Sequence, residues 1–193
     1  QAWDSGSGTG YGEMAPRSNP VGDSSTSQTY TVTFKRGTTT VSTVKVKAGS
    51  TAKAPSIATP SGYKFMGWYN SAGKKFSATA PVKANATYTA RFYSTNAYLK
   101  KLSASTGSWS SRFAKTRYAY TLTLARTKSK VKVAAYRAHS KATVSWSYNK
   151  KKWYSGSSKV VSLSRGKSQY LYFKVVSQAK TTKIYKVKVY RKK

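Results

Sequence analysis

The sequence predicts a mainly β chain, a small sheet-based domain followed by a seven-strand β-sandwich. Three observations predict it. Apolar and polar residues alternate with period two in one segment after another from Tyr30 to Tyr190. Glycine, proline, asparagine and serine punctuate those segments, at intervals of about 8–15 residues in the second half. No segment of the second half sustains the apolar stripe of period 3.6 that a surface helix needs. The one place for a short helix is Ser50–Ala54, before Pro55.

Residues 1–27, "QAWDSGSGTGYGEMAPRSNPVGDSSTS", have neither period and are rich in Gly, Ser, Thr and Pro, which predicts a flexible tail. The polar opening at Gln1 reads as that of a mature or excised fragment, without a signal peptide. Over 28–94 the first domain is expected. "YTVTF" sets Tyr30, Val32 and Phe34 on one face, "VKVK" sets Val44 and Val46 against Lys45 and Lys47, and "ATYTARF" aligns Ala86, Tyr88, Ala90 and Phe92. After "STNA" the second domain, 97–193, begins with "AYLKKLSAS". "YAYTLTL" (Tyr118, Tyr120, Leu122, Leu124), "VKV" (Val131, Val133), "ATVSWSY", "KVVSL", "YLYFKVV" and "IYKVKVY" complete seven strands.

Charge is the dominant compositional fact. The chain carries 36 Lys+Arg against 3 Asp+Glu, a net charge of +33. The acids are Asp4, Glu13 and Asp23, and only Arg17 among the bases precedes Ser24, so Ser24–Lys193 holds 35 bases and no carboxylate side chain. Such a fold has no Lys/Arg–carboxylate pairs to gain from, and it attracts polyanions. Lys45, Lys47, Lys132, Lys186 and Lys188 alternate with apolar residues. Singly, such lysines solvate a strand face or guard a sheet edge; the collective imbalance is what calls for a partner.

The composition excludes most catalysis. Paired carboxylates are impossible after residue 23, and a Ser-His-Asp triad has no acid for His139, which sits at an expected surface turn. No phosphate loop of Walker or Rossmann spacing occurs. With no cysteine and one histidine, neither a zinc nor a calcium set exists, so no metal, cofactor or catalytic residue is expected, and the chain is read as no enzyme. A Lys–Asn isopeptide bond is not expected without a neighbouring acid. No apolar run is long enough to span a bilayer.

The strongest candidate for binding is "SWSYNKKKWYSGSSK", where Trp146, Tyr148, Trp153 and Tyr154 flank Lys150, Lys151 and Lys152. As a hairpin, it would present rings to stack on sugars or bases and ammonium groups to neutralise phosphate or sulfate. The alternative is that Trp146 and Tyr148 are core and the lysines solvate a turn. Further basic clusters are Lys100 and Lys101, then Arg126, Lys128, Lys130 and Lys132, and the terminal Arg191–Lys193.

Residues 29–93 resemble the Listeria–Bacteroides repeat, the small β-grasp-like module of internalin B-type repeats. The carriers are "YTVTF", "VSTVKVKAGSTAKAPSIATPSGYKFMGWYNSAGKKF" and "PVKANATYTARF", with Phe92 where the family usually has tryptophan. The resemblance implies that "GYKFMGWY" is a fold signature and not a ligand platform. Tyr63, Phe65 and Trp68 are then expected in the core, Tyr69 is left open, and Gly62 and Gly67 serve tight turns or close approach. Residues 97–191 resemble the cadherin-like β-sandwich domain of bacterial surface proteins, an Ig/cadherin-like sandwich, through "YLKKLSASTGSWSSRFAKTRYAYTLTL", "ATVSW", "VSLSRGKSQYLYFKVVS" and "IYKVKVYR". Leu99, Leu102, Phe113, Tyr120, Tyr185 and Arg191 fit its pattern; Ser111, Arg112 and Gly166-Lys167-Ser168 depart from it.

Both resemblances imply large extracellular bacterial proteins, mostly Gram-positive or gut-associated, and neither carries over a catalytic residue. The expectation is a secreted, cell-wall-associated module that holds a polyanion, wall teichoic acid or an anionic host glycan, on its basic surface. Its competitors are a passive stalk, a carbohydrate-binding accessory module of a secreted adhesin or glycan-active enzyme, and a nucleic-acid binder. The last is disfavoured because no dedicated DNA or RNA motif is present.

Overall fold

The computed structural model describes residues 27–193 and is all β. The tail expected over 1–27 lies, apart from Ser27, outside the described residues. The first sheet contains β1 (Thr29–Arg36), β2 (Thr39–Lys47), β3 (Tyr63–Tyr69) and β4 (Ala86–Ser94) in the order β2-β1-β4-β3. The central pair β1–β4 is parallel and the flanking pairs are antiparallel. Alternation decides which side of β1 is covered: Val32 and Phe34 are buried while Thr31 and Thr33, on the opposite face, are only partly so.

Val46, Ala52 and Trp68 complete that core. Phe34 lies at its centre, edge-on to Trp68 at 5.0 Å and to Phe76 at 5.2 Å, arrangements that the ring quadrupoles favour. The helix expected over Ser50–Ala54 is absent. Thr51 forms an isolated bridge with Pro81, Val82 N–H donates to Ser50 O at 2.8 Å, and Gly49 N–H donates to Val82 O at 2.9 Å. These backbone groups are used across the chain and not along it. Gly49 and Pro55 bound too short a run to nucleate a helix, and the extended segment drops Ala52 onto the sheet instead.

β3 was not among the expected strands because its alternation breaks at a bulge between Phe65 and Gly67. Trp68 is buried and Phe65 packs against the same core, as expected. Tyr63 is a correction: it is 43% exposed. It pairs with Ser94 at the far end of β4, beyond Ala86–Thr89, the stretch of β4 that pairs with β1, so it stands at a corner of the sheet where the neighbouring strand has ended. Tyr69 is half-buried, with the Arg91 guanidinium 4.3 Å from its ring centre.

The second unit pairs a six-stranded sheet with a three-stranded one. The larger has the order β10-β9-β12-β13-β7-β6 and the smaller β11-β8-β5. Their strands are β5 (Leu99–Ala104), β6 (Ser108–Trp109), β7 (Ala119–Leu124), β8 (Lys130–Arg137), β9 (Thr143–Ser147), β10 (Tyr154–Ser155), β11 (Ser158–Ser162), β12 (Ser168–Val176) and β13 (Thr182–Arg191). The seven expected strands are all present. β6 and β10 are additions, two residues each and too short to carry a period. Leu99, Leu122, Val133, Leu171, Phe173 and Val187 are among the fully buried residues between the sheets. Burying each such side chain contributes about 1.5–3 kcal/mol.

Three signature residues tie loops to this core. Tyr185 Oη accepts from Leu99 N–H at 3.1 Å and donates to Lys115 O at 2.7 Å. Tyr120 Oη accepts from Ala114 N–H at 3.0 Å and donates to Ala114 O at 2.8 Å. Arg191 donates to Arg126 O from Nη2 at 2.6 Å and to Leu163 O from Nη1 at 2.8 Å. Where acids are missing, carbonyl oxygens take the guanidinium's hydrogen bonds. At the junction, Thr95 N–H donates to Gly62 O at 2.9 Å, extending the β3–β4 ladder, and Ala179 N–H, between β12 and β13, donates to Ser94 O at 3.0 Å, which ties the sandwich to the first sheet.

At two of the glycines with left-handed backbone, an added side chain would also collide with its surroundings. A Cβ on Gly107 (φ 99°) would meet Leu124 Cδ2 and the Thr123 carbonyl oxygen, each at 2.8 Å, while one on Gly67 (φ 118°) would meet only the movable Lys75 Cε at 2.5 Å. Gly67→Ala is expected to cost about 1–3 kcal/mol from its backbone alone, and Gly107→Ala more, because backbone and core must also shift. Urea midpoints of the two variants check the order; equal and negligible losses would contradict it.

Candidate functional site

The hairpin expected around Lys150–Lys152 is formed. β9 and β10 pair antiparallel, with Tyr154 opposite Trp146. The loop between them is built on local hydrogen bonds. Ser147 Oγ, fully buried, accepts from Asn149 N–H at 3.2 Å and Lys150 N–H at 2.9 Å. Asn149 Oδ1 accepts from Lys151 N–H at 2.9 Å and Lys152 N–H at 3.2 Å. Short polar side chains of this kind fold a turn on themselves, so the three lysines start from an ordered backbone. Lys150 itself has φ 64°.

The hairpin's rings divide between two sides of the sheet. Trp146 and Tyr148 pack partly against the sandwich core, and burial pushes the Tyr148 phenol up from its ordinary value. Tyr154 stacks on Trp146 with ring centres 4.5 Å apart and planes 18° apart. Lys159, on β11 at the rim of the smaller sheet, places Nζ 4.3 Å from the Trp146 ring centre. Lys152 Nζ lies 5.3 Å from the Tyr154 ring. Trp153 lies elsewhere: Lys174 Nζ is 4.4 Å from its ring, and Lys150 Nζ is 4.9 Å from Tyr172. Lys174 and Tyr172 belong to the outer face of the six-stranded sheet, opposite the buried Phe173 and Val175.

Of the other basic candidates, four lie on the smaller sheet and two in the turn that leads to it. Lys130 and Lys132 alternate with buried Val131 and Val133 and face outward. A bulge between Leu99 and Lys101 leaves both Lys100 and Lys101 exposed. Arg126 and Lys128 are exposed in the turn between β7 and β8. The hairpin belongs to the larger sheet, so these six residues do not join it in one cluster, and Lys100 alone of them shares a groove with its strands. Lys100 and Arg137 edge a groove of about 770 Å³ with Tyr136, Ser140, Thr143 and Ser157. Half-buried His139 accepts from Lys141 N–H at 3.2 Å, an ordinary turn contact.

One group was not assembled from the sequence. On the outer face of the six-stranded sheet, Tyr170 pairs with Lys188 and Tyr172 with Lys186 across the β12–β13 ladder. Alternation in "YLYFKVV" and "IYKVKVY" does identify these side chains as outward-facing. What joins them is the strand register, for which the sequence holds no local signal. Across the described residues, cationic heads sit over rings where other proteins would supply carboxylates. Ring faces are a modest substitute, worth about 0.5–1 kcal/mol each at exposed sites, and leave the positive field uncompensated.

Among the described residues, no helix is long and apolar enough to cross a membrane. No curated protein matches the chain. The family model of the Listeria-Bacteroides repeat domain matches residues 30–91, and that of the cadherin-like beta sandwich domain matches residues 99–192. These are β-rich modules of extracellular type, typically non-catalytic. The chain thus contains a Listeria-Bacteroides repeat domain over residues 30–91 followed by a cadherin-like beta sandwich domain over residues 99–192.

Proposed function

We propose that this chain is a non-catalytic binding module of a bacterial surface protein that holds anionic polymers, wall teichoic acid or an anionic glycan of a host surface, on its basic strand faces and the 146–154 hairpin. The observation that carries this reading is the uncompensated charge: Ser24–Lys193 has 35 bases and no carboxylate side chain. A field of one sign concentrates polyanions at the surface and raises their association rate. The hairpin adds rings held beside ammonium groups, and Lys159 over Trp146 is the closest such pair there. A passive stalk would fit the tandem of two β modules, but it gives the charge no task.

Retention of the purified chain on Gram-positive cell walls tests the proposal. Native walls are expected to hold it at physiological salt, and walls stripped of teichoic acid to release it. Should stripped walls and a host-type sulfated glycan column hold it equally well, the host-surface version gains. Passage through every anionic matrix at low salt would leave the stalk.

A further inference from the structure

The outer face of the six-stranded sheet repeats one arrangement along the strands. Tyr170 stands beside Lys188, Tyr172 beside Lys186, and Trp153 above Lys174, which pairs with Ile184 one step further on. Each step is two residues of strand, about 6.7 Å. Three successive rungs thus offer one ring and one ammonium group apiece over about 13 Å. Tyr170 and Tyr172 lie with ring centres 6.3 Å apart, tilted by 31°. Beside them, Ala119 and Thr121 floor a depression of about 200 Å³ whose walls include Tyr170, Lys186 and Lys188. Small residues on β7 therefore leave room next to the ladder.

From this register we infer that the outer sheet face is the docking platform for a linear anionic glycan, a chain in which sugar rings and charged groups alternate. The inference rests on the proposed polyanion binding and adds both the place and the ligand class. Tyrosine and tryptophan faces stack on the apolar faces of pyranose rings, and the neighbouring ammonium groups take the sulfate, phosphate or carboxylate. Lys150 lies over Tyr172 and Lys186 over Tyr170, at 4.9 and 5.5 Å. An anion drawing those ammonium groups aside would free the ring faces for the sugars. A bare polyphosphate would use the lysines and leave the rings idle. A neutral glycan would use the rings and gain nothing from the lysines. The absence of any acidic side chain from Ser24 onward supplies the charge complementarity that selects an anionic occupant.

The test compares the full chain with Tyr170→Ala/Tyr172→Ala, which keeps every charge, and with Lys186→Gln/Lys188→Gln. Heparin, inorganic polyphosphate, dextran and single-stranded poly(dT) are the probes, at fixed salt, after thermal melts verify the fold. The tyrosine variant is expected to bind heparin about tenfold more weakly and polyphosphate within about twofold of the parent. The lysine variant should weaken on both, and dextran should bind no form. If the parent binds heparin and the tyrosine variant binds it equally, the platform is elsewhere and the polyanion reading stands alone. Equal losses on heparin and polyphosphate would overturn ring stacking. A larger loss on poly(dT) than on heparin would make this a nucleic-acid face. If the parent binds neither anionic polymer, both inferences fall.

Discussion

Phe34→Ala is expected to unfold the first domain while leaving the sandwich folded. Phe34 is fully buried and touches three other rings, those of Trp68, Phe76 and Tyr88. Removing it deletes the hub of a small aromatic core that has no second layer to collapse into the space. Such truncations cost about 3–5 kcal/mol. A domain of this size holds on the order of 3–10 kcal/mol in all, and it has no side-chain carboxylate of its own with which to form ion pairs. The sandwich has its own core, centred on residues such as Leu122 and Phe173. Calorimetry should therefore show one transition lost or moved far down and the other within a few degrees of its original place. A single transition shifted as a whole would mean that the two units unfold as one, with Ser94, Thr95 and their partners coupling them.

Tyr185→Ala should be the most damaging change in the sandwich, and Tyr185→Phe should separate the ring from its hydroxyl. The ring is fully buried, and its loss costs about 3–5 kcal/mol. The hydroxyl joins Leu99 N–H to Lys115 O. Phenylalanine keeps the volume but leaves a buried N–H without a partner, at about 1–3 kcal/mol. Burial also pushes the Tyr185 phenol up from its ordinary value. A phenol raised in the folded state binds its proton more tightly there than in the unfolded chain. Its stabilisation is fully present below the unfolded value, about pH 10, and is lost as pH rises through the folded one. The stability gap between the parent and Tyr185→Phe should therefore be constant from neutral pH to about pH 9 and narrow above about pH 10. Urea unfolding across that range checks it; a gap widening with pH would contradict the assigned hydrogen bonds.

The architecture was largely legible because alternation is a local signal. Val32 and Phe34, or Leu171, Phe173 and Val175, declare a buried face within five residues. What the sequence hid depends on partners distant along the chain. β3 was obscured by the Gly67 bulge, which shifts Trp68 to the covered face, and Tyr63 lost its place in the core to a neighbour strand that ends too soon. Ser50–Ala54 is compatible with helix by composition, but Val82 and Pro81, some 30 residues away, claim its backbone. The binding candidates divide in the same way. The ring-and-lysine hairpin was visible as a string of residues; its split between two sides of the sheet was not, because that depends on the Ser147–Asn149 turn. Tyr170, Tyr172, Lys186 and Lys188 were each readable as outward-facing, yet they become rungs only through the β12–β13 pairing.

The affinity of the whole chain for a purified anionic polymer such as heparin, followed from low to physiological salt, tests the polyanion claim most directly. Binding that displaces counterions must weaken as a straight line in log affinity against log salt, with a slope set by the number of anionic groups neutralised. The predicted result is a steep negative slope of several units, on the order of those seen for multi-contact polyanion complexes, together with measurable binding at physiological ionic strength. An affinity that ignores salt, or no binding at low salt where the charge is least screened, would contradict it.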